Sequence, residues 1–341
     1  MSMFNKVKKV NSFNTASTYT SVSEGFAPPR ATSIKDIPVV FLSFDEPNAD
    51  DHWEKLKAVV PHKRIARVHG VVGFDACHKA ASSEFPSSDY VITVDADNQV
   101  NPNFFNQKLP PNMDGRVSFT WGGRQVTNGL MYGNGGLKMW STEHLSNMKS
   151  HELADEERDA VDFCWDFNRY KELPGCWSNV HTNGSPYQAF RVGFREGVKL
   201  SMEQGRLLAF DEWPSKMHAA NYQRLLTWMT IGKDIEHGIW SVYGARLAVK
   251  LLQYDNFDFV NIRDYNWFKK FFNEHKDADP IKASKSLGKQ LSDGLGWILP
   301  DFDAEQSAFI KQTQLHPDKP LTYEDVEWRT NLSLYGWFNE R

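Results

Sequence analysis

The sequence predicts an α/β fold with a parallel sheet in its N-terminal half and a mostly helical C-terminal part. Three observations carry this. Short apolar runs alternate with helical periods between Ile37 and Val94, the alternation breaks after Asp97, and from Trp213 onward most segments have helical spacing.

The elements follow in order. The run from Ile37 to Phe44 is continuously apolar apart from Ser43, as in a strand buried on both faces. Asn48 caps a helix to Val60, with Trp53, Leu56, Val59 and Val60 on one side. Arg64 to His69 reads as a second strand, Phe74 to Phe85 as a second helix, and Tyr90 to Val94 as a third strand running into Asp95. Such a β-α-β-α-β order with short connections gives parallel strands and right-handed crossovers. Arg116 to Trp121 and Val161 to Trp165 are further strand candidates, separated by a flexible segment, Tyr132 to Lys138, containing three glycines. Ser185 and Pro186 start a helix that runs to about Met202, with serine as the cap and proline at the first position. Helices are expected over 217–231, 240–254 and 263–275. The organisation expected is an arm over 1–36, a main domain over 37–254 and a helical extension over 255–341.

Composition narrows the function. The net charge of −4 argues against a protein that only coats DNA, because phosphate neutralisation supplies most non-specific affinity. A local basic surface remains compatible, and the arm carries Lys6, Lys8, Lys9, Arg30 and Lys35 against only Glu24 and Asp36. Cys77, Cys164 and Cys176 lack zinc-site spacing and read as reduced thiols. With no apolar leader and no run of about 18 apolar residues, the expectation is a cytoplasmic protein without a membrane partner.

The chemistry centres on Asp95-Ala96-Asp97. Two carboxylates stand just past the carboxyl end of a buried strand, where open α/β sheets bind ligands. They repel one another unless a cation lies between them. A hard divalent ion, Mg2+ or Mn2+, takes carboxylate oxygens together with substrate phosphates. It would neutralise charge on a departing diphosphate. Arg191, Arg195 and Lys199 recur at every fourth position of the 185–202 helix, a stripe suited to phosphate or to pairing with Glu196 and Glu203. Trp140, Trp165 and Trp177 are candidates for stacking a sugar or a base, although core packing is the commoner fate of tryptophan.

Residues 37–105 resemble the nucleotide-sugar half of GT-A glycosyltransferases, a Rossmann-like sheet with an Asp-x-Asp motif. The resemblance implies a UDP-sugar donor, with Asp95 and Ala96 at its ribose or sugar and Asp97 on the metal. It implies that Phe44, Asp45 and Glu46 grip base and ribose, and that Gly70 and His78 close on the donor. It also implies a third metal ligand downstream, often a histidine. His181 is the first choice and His237 the second. The runs Phe44 to Asp50, Val68 to Val71 and Ser185 to Glu196 are similar to glycosyltransferases of T-even-like bacteriophages, some of which glycosylate hydroxymethylated pyrimidines in DNA. That likeness implies glucosyl or arabinosyl transfer to 5-hydroxymethylcytosine, with modified double-stranded DNA as partner. If transfer inverts the anomeric centre, a carboxylate base is needed, and Asp162, Asp166 and Asp211 are candidates. Three alternatives stay open: a glycan, lipid or protein acceptor, a nucleotidyltransferase, and a non-catalytic DNA-binding protein.

Overall fold

The computed structural model describes residues 33–109, 117–131, 135–148, 170–203 and 206–314. The chain is already packed at Ile34, which is fully buried, and Ser33 bridges Lys108. β1 (Val39–Ser43) is buried at every position, as its apolar run requires. α1 (Ala49–Val59), β2 (Ile65–His69), α2 (Phe74–Glu84) and β3 (Tyr90–Asp95) follow. β1 pairs in parallel with both β2 and β3. The odd residues Val39 and Phe41 pack with Leu56 of α1, and the even residues Val40 and Leu42 with Ala81 of α2. The two helices therefore cover opposite faces, the outcome of right-handed crossovers running first to one side of β1 and then to the other.

The sheet continues with β4 (Asn98–Val100), β5 (Ser118–Gln125), β6 (Leu137–Ser141) and β7 (Tyr170–Val180). Strand order across it is β2-β1-β3-β6-β5-β7-β4. β6 runs antiparallel to β3, so the parallel pattern ends there. This corrects one sequence expectation: Leu137 and Lys138 belong to a fully buried strand rather than to a flexible segment. Their register against Val94 and Thr93 supplies the ladder that the local glycine content obscured. The expected strand at Val161 to Trp165, the bases Asp162 and Asp166, and Trp165 lie outside the described residues.

Helices dominate after β7. α3 (Thr142–Ser146) is a single turn after β6, whereas α4 (Pro186–Leu200) is long and capped by Ser185, whose hydroxyl accepts the Gln188 N–H. A two-stranded ribbon, β8 (Met202–Glu203) with β9 (Arg206–Leu207), leads through α5 (Trp213–Lys216) to α6 (Ala219–Thr230) and α7 (Gly238–Tyr254). α4 crosses α7 at backbone contact. A Cβ on Gly193 would meet the Ser241 carbonyl at 1.9 Å, so the crossing requires glycine there. α8 (Tyr265–His275) lays Phe268 and Phe271 against Phe194 of α4, and α9 (Pro280–Leu295) and α10 (Ala304–Gln314) complete the helical part. Arg246 of α7 is fully buried and donates to Met229 O, Ser284 O, Pro300 O and Asp301, which ties α6, α7 and α9 together. No helix of the described residues is long and apolar enough to cross a membrane.

Candidate active site

The chain leaves β1 toward β2 on one side and returns to β3 on the other. The carboxyl ends of β1 and β3 thus form a topological switch point, with Leu42 paired to Asp95. Crevices at such points hold ligands because the two following loops diverge and leave a gap above the sheet. Here the loop after β1 supplies Phe44, Asp45 and Glu46, and the turn after β3 supplies Asp95, Ala96 and Asp97.

These acids are coupled. Asp97 is partly buried, and its pKa is raised to about 7 by loss of hydration, by Asp95 and by Glu46. Burial also raises Glu46, with Asp95 and Asp45 adding to it, while the Phe44 N–H donated to Glu46 Oε2 at 2.7 Å works the other way. Two contacts counter the repulsion at the turn. Asn98 donates to Asp97 Oδ1 at 2.7 Å, and the buried Lys138 ammonium lies 3.6 Å from Asp95 Oδ2. The Ala96 carbonyl is occupied by His52 Nδ1 at 2.8 Å. Gly136, just before β6, also serves the turn. A Cβ on Gly136 would fall 2.1 Å from Asn98 Nδ2 and 2.7 Å from the Asp95 Cβ, so only glycine lets β6 pass this closely.

A second cluster flanks the crevice. Asp45 accepts a hydrogen bond from the Tyr265 hydroxyl and pairs with Lys269 at 3.0 Å. Burial alone would raise the Asp45 pKa, but Tyr265, Lys269 and Arg191 together bring it below the ordinary value. The Arg191 guanidinium stacks over the Tyr265 ring at 4.9 Å and the Phe268 ring at 5.6 Å, and Phe44 meets Tyr265 edge-on. Sequence reasoning gave α8 no role, although Tyr265 and Lys269 are one helical turn apart and so share a face.

Several expected residues sit elsewhere. His78 is 2% exposed, stacked on Phe74 and bonded to the Phe74 carbonyl, and burial lowers its pKa to about 4. It is a neutral core histidine under the site rather than a wall of it. His181 brings its backbone to Asp97, donating to the Asp97 carbonyl at 2.7 Å, but its ring lies against His52. His237 caps α7 and faces Glu236. Asp211 is exposed on the turn Phe210–Glu212, which packs against α9, and no described contact joins it to Asp95 or Asp97. Gly70 has a φ of 72° and donates its N–H to the Ser43 carbonyl, so it does sit at the β1 end of the crevice. The basic stripe of α4 is divided: Arg191 turns to α8, Arg195 is half-buried, and Lys199 pairs with Glu196 at 3.0 Å. Trp140 and Trp177 are core residues.

No group of three or more His, Cys, Asp or Glu side chains among the described residues forms a metal cage. The donor set still suits a hard divalent ion, which binds through one or two carboxylates while substrate phosphates and water complete its shell. Burial, Asp95 and Glu46 together raise Asp97 to about 7, and a cation between the carboxylates would offset all three.

No protein-family model matches the chain, and no curated protein matches it. Among solved structures, a glycosyltransferase involved in the glycosylation of the major capsid of PBCV-1 is similar over 40% of this chain and 81% of its own, at 15% identity and a TM-score of 0.27.

Proposed function

We propose that the chain is a metal-dependent glycosyltransferase that takes a sugar from a nucleotide diphosphate donor, UDP-linked by preference. The observation that carries this is the Asp95–Asp97 pair at the β1/β3 switch point, with Asp97 raised to about 7 by burial and by its acidic neighbours. In this reading Asp97 and Asp95 hold a divalent ion, which supplies charge neutralisation at the leaving diphosphate. Asp45 and Glu46 face the nucleoside end. Arg191, held flat by Tyr265 and Phe268, offers guanidinium N–H groups to phosphate oxygens. The loop after β1 reads Asp45-Glu46-Pro47-Asn48, with none of the glycines and lysine that a nucleotidyltransferase would favour there.

The acceptor reading is a hydroxymethylated pyrimidine in DNA, and its support is the likeness to T-even-like bacteriophage glycosyltransferases in the runs 44–50, 68–71 and 185–196. Such a base must leave the stack to be reached. The test is a screen of UDP-sugars with Mn2+ or Mg2+ against hydroxymethylcytosine-containing DNA and unmodified DNA. Metal-dependent transfer to modified DNA alone is the expected result. Metal-dependent donor hydrolysis without transfer would move the acceptor to a glycan, lipid or protein. Metal-independent turnover, or full activity in Asp97→Ala, would contradict the mechanism.

A further inference from the structure

A second cleft, about 590 Å³ in volume, lies where the ends of β5 and β7 meet α10 and the segment between α6 and α7. Its lining includes Arg124, Gln125, Asn179, Asp234, Lys311 and Gln312. Sheet register sets Arg124 and Asn179 of this lining apart from the carboxylate site. Gln99, Asn179 and Arg124 are cross-strand partners and share one face, while Asn98, Val180 and Gln125 share the other. Asn98 is the residue that holds Asp97, so Arg124 and Asn179 open on the face away from the carboxylates.

Of the charged groups in this cleft, Arg124 has unused hydrogen-bonding capacity. Lys311 is saturated: its ammonium reaches Asp234 Oδ2 at 2.5 Å and the Val126 and Thr127 carbonyls at 3.1 and 3.3 Å. Arg124 is half-buried, has no carboxylate partner among the described residues, and has its pKa lowered by burial. A partly desolvated guanidinium favours an oxyanion that can take two of its N–H groups at once. Asp234 is committed to Lys311. The side-chain amides of the exposed Asn179 and Gln312 line the cleft and carry both donor and acceptor atoms. The volume is that of a pocket for one small molecule.

We propose that this cleft binds a small hydroxylated anion, a sugar phosphate or a sugar acid, with its oxyanion on Arg124 and its hydroxyls on the side-chain amides of Asn179 and Gln312. The site shares no lining residue with the Asp95–Asp97 crevice and does not depend on the glycosyl-transfer reading.

The test is calorimetric titration of the full chain, without metal or donor, using glucose 6-phosphate, glucuronate, inorganic phosphate and glucose as probes. The proposal expects saturable binding of glucose 6-phosphate or glucuronate, and which of them binds more tightly identifies phosphate or carboxylate as the preferred oxyanion. The tighter of the two should exceed glucose and inorganic phosphate at least tenfold. Arg124→Gln should weaken binding at least tenfold, and Arg124→Lys should recover only part of it. Gln312→Glu, an exposed change at the rim that leaves the packing alone, should weaken binding several-fold even if Arg124 variants fold poorly. Asp97→Asn should leave the affinity unchanged. The proposal is overturned by absence of binding for both sugar anions, by equal affinity in the Gln312→Glu and unaltered proteins, or by loss of binding in Asp97→Asn. That last result would place the ligand in the other crevice.

Discussion

Asn98 donates its amide to Asp97 Oδ1 at 2.7 Å and accepts the Ser178 hydroxyl on its own carbonyl oxygen at 2.7 Å. The amide is therefore oriented by β7, and it presents a donor to the one carboxylate in the crevice that most needs one. It favours the charged form of Asp97 against burial, Asp95 and Glu46.

Asn98→Ala removes that donor. The Asp97 pKa should rise above its value of about 7, by about one unit if the lost bond is worth about 1.5 kcal/mol. Carboxylate infrared or 13C NMR titration reads the shift directly. An unchanged pKa would mean that Asn98 does not act on Asp97.

Asp97→Asn should change stability in a pH-dependent way in the presence of a chelator. The raised pKa means that the folded protein keeps a proton that the unfolded chain releases between about pH 4 and pH 7. Stability contributed by this group is thus present below the unfolded pKa and lost as pH rises to about 7. The variant escapes that loss. It should be more stable than the unaltered protein at pH 8, by about 1–3 kcal/mol, and no more stable near pH 3.5. Thermal melts at the two pH values check the sign.

Gly136→Ala should damage fold and site together. Its Cβ would press on Asn98 and on the Asp95 Cβ, and β6 or the turn must move. A cost of about 1–3 kcal/mol is expected from denaturant melts. Activity should fall by more than the loss of folded protein explains, because Asn98 is displaced from Asp97.

Tyr265→Phe removes one of the donors that bring Asp45 below its ordinary pKa. The Asp45 pKa should rise, read by NMR titration. Since the lowered pKa stabilises above the unfolded value and that contribution is lost as pH falls through the folded one, the variant's deficit should be present at pH 7 and absent near pH 2. In the proposed mechanism the same change weakens UDP binding, because the loop after β1 loses its tie to α8. An Asp45 pKa that does not move would remove α8 from the account.

Much of this was legible in the sequence. The continuous apolar runs gave β1 and β3, their spacing gave the parallel order, and Asp95 and Asp97 stood out because they end a buried strand. Lys138 was not legible, since a glycine-rich segment hides a strand whose ladder is supplied by β3. Nor was the fate of His78, because a histidine on the inner side of a helix has the same local sequence whether it meets ligand or core. Tyr265 and Lys269 reach Asp45 across some 220 residues, and no local period encodes such a contact. Arg191 was found by its helical spacing, but its partners were not, for the same reason.

The central claim is that Asp97 helps hold a divalent ion together with the donor diphosphate. The direct measurement is Mn2+ binding in the presence of UDP, followed by electron paramagnetic resonance from pH 5.5 to 8, in the unaltered protein and in Asp97→Asn. The account predicts that Mn2+ affinity rises with pH and levels off above about 7, as Asp97 gives up its proton, and that the variant loses at least tenfold in affinity along with the pH dependence. Equal, pH-independent Mn2+ binding in both proteins would contradict it.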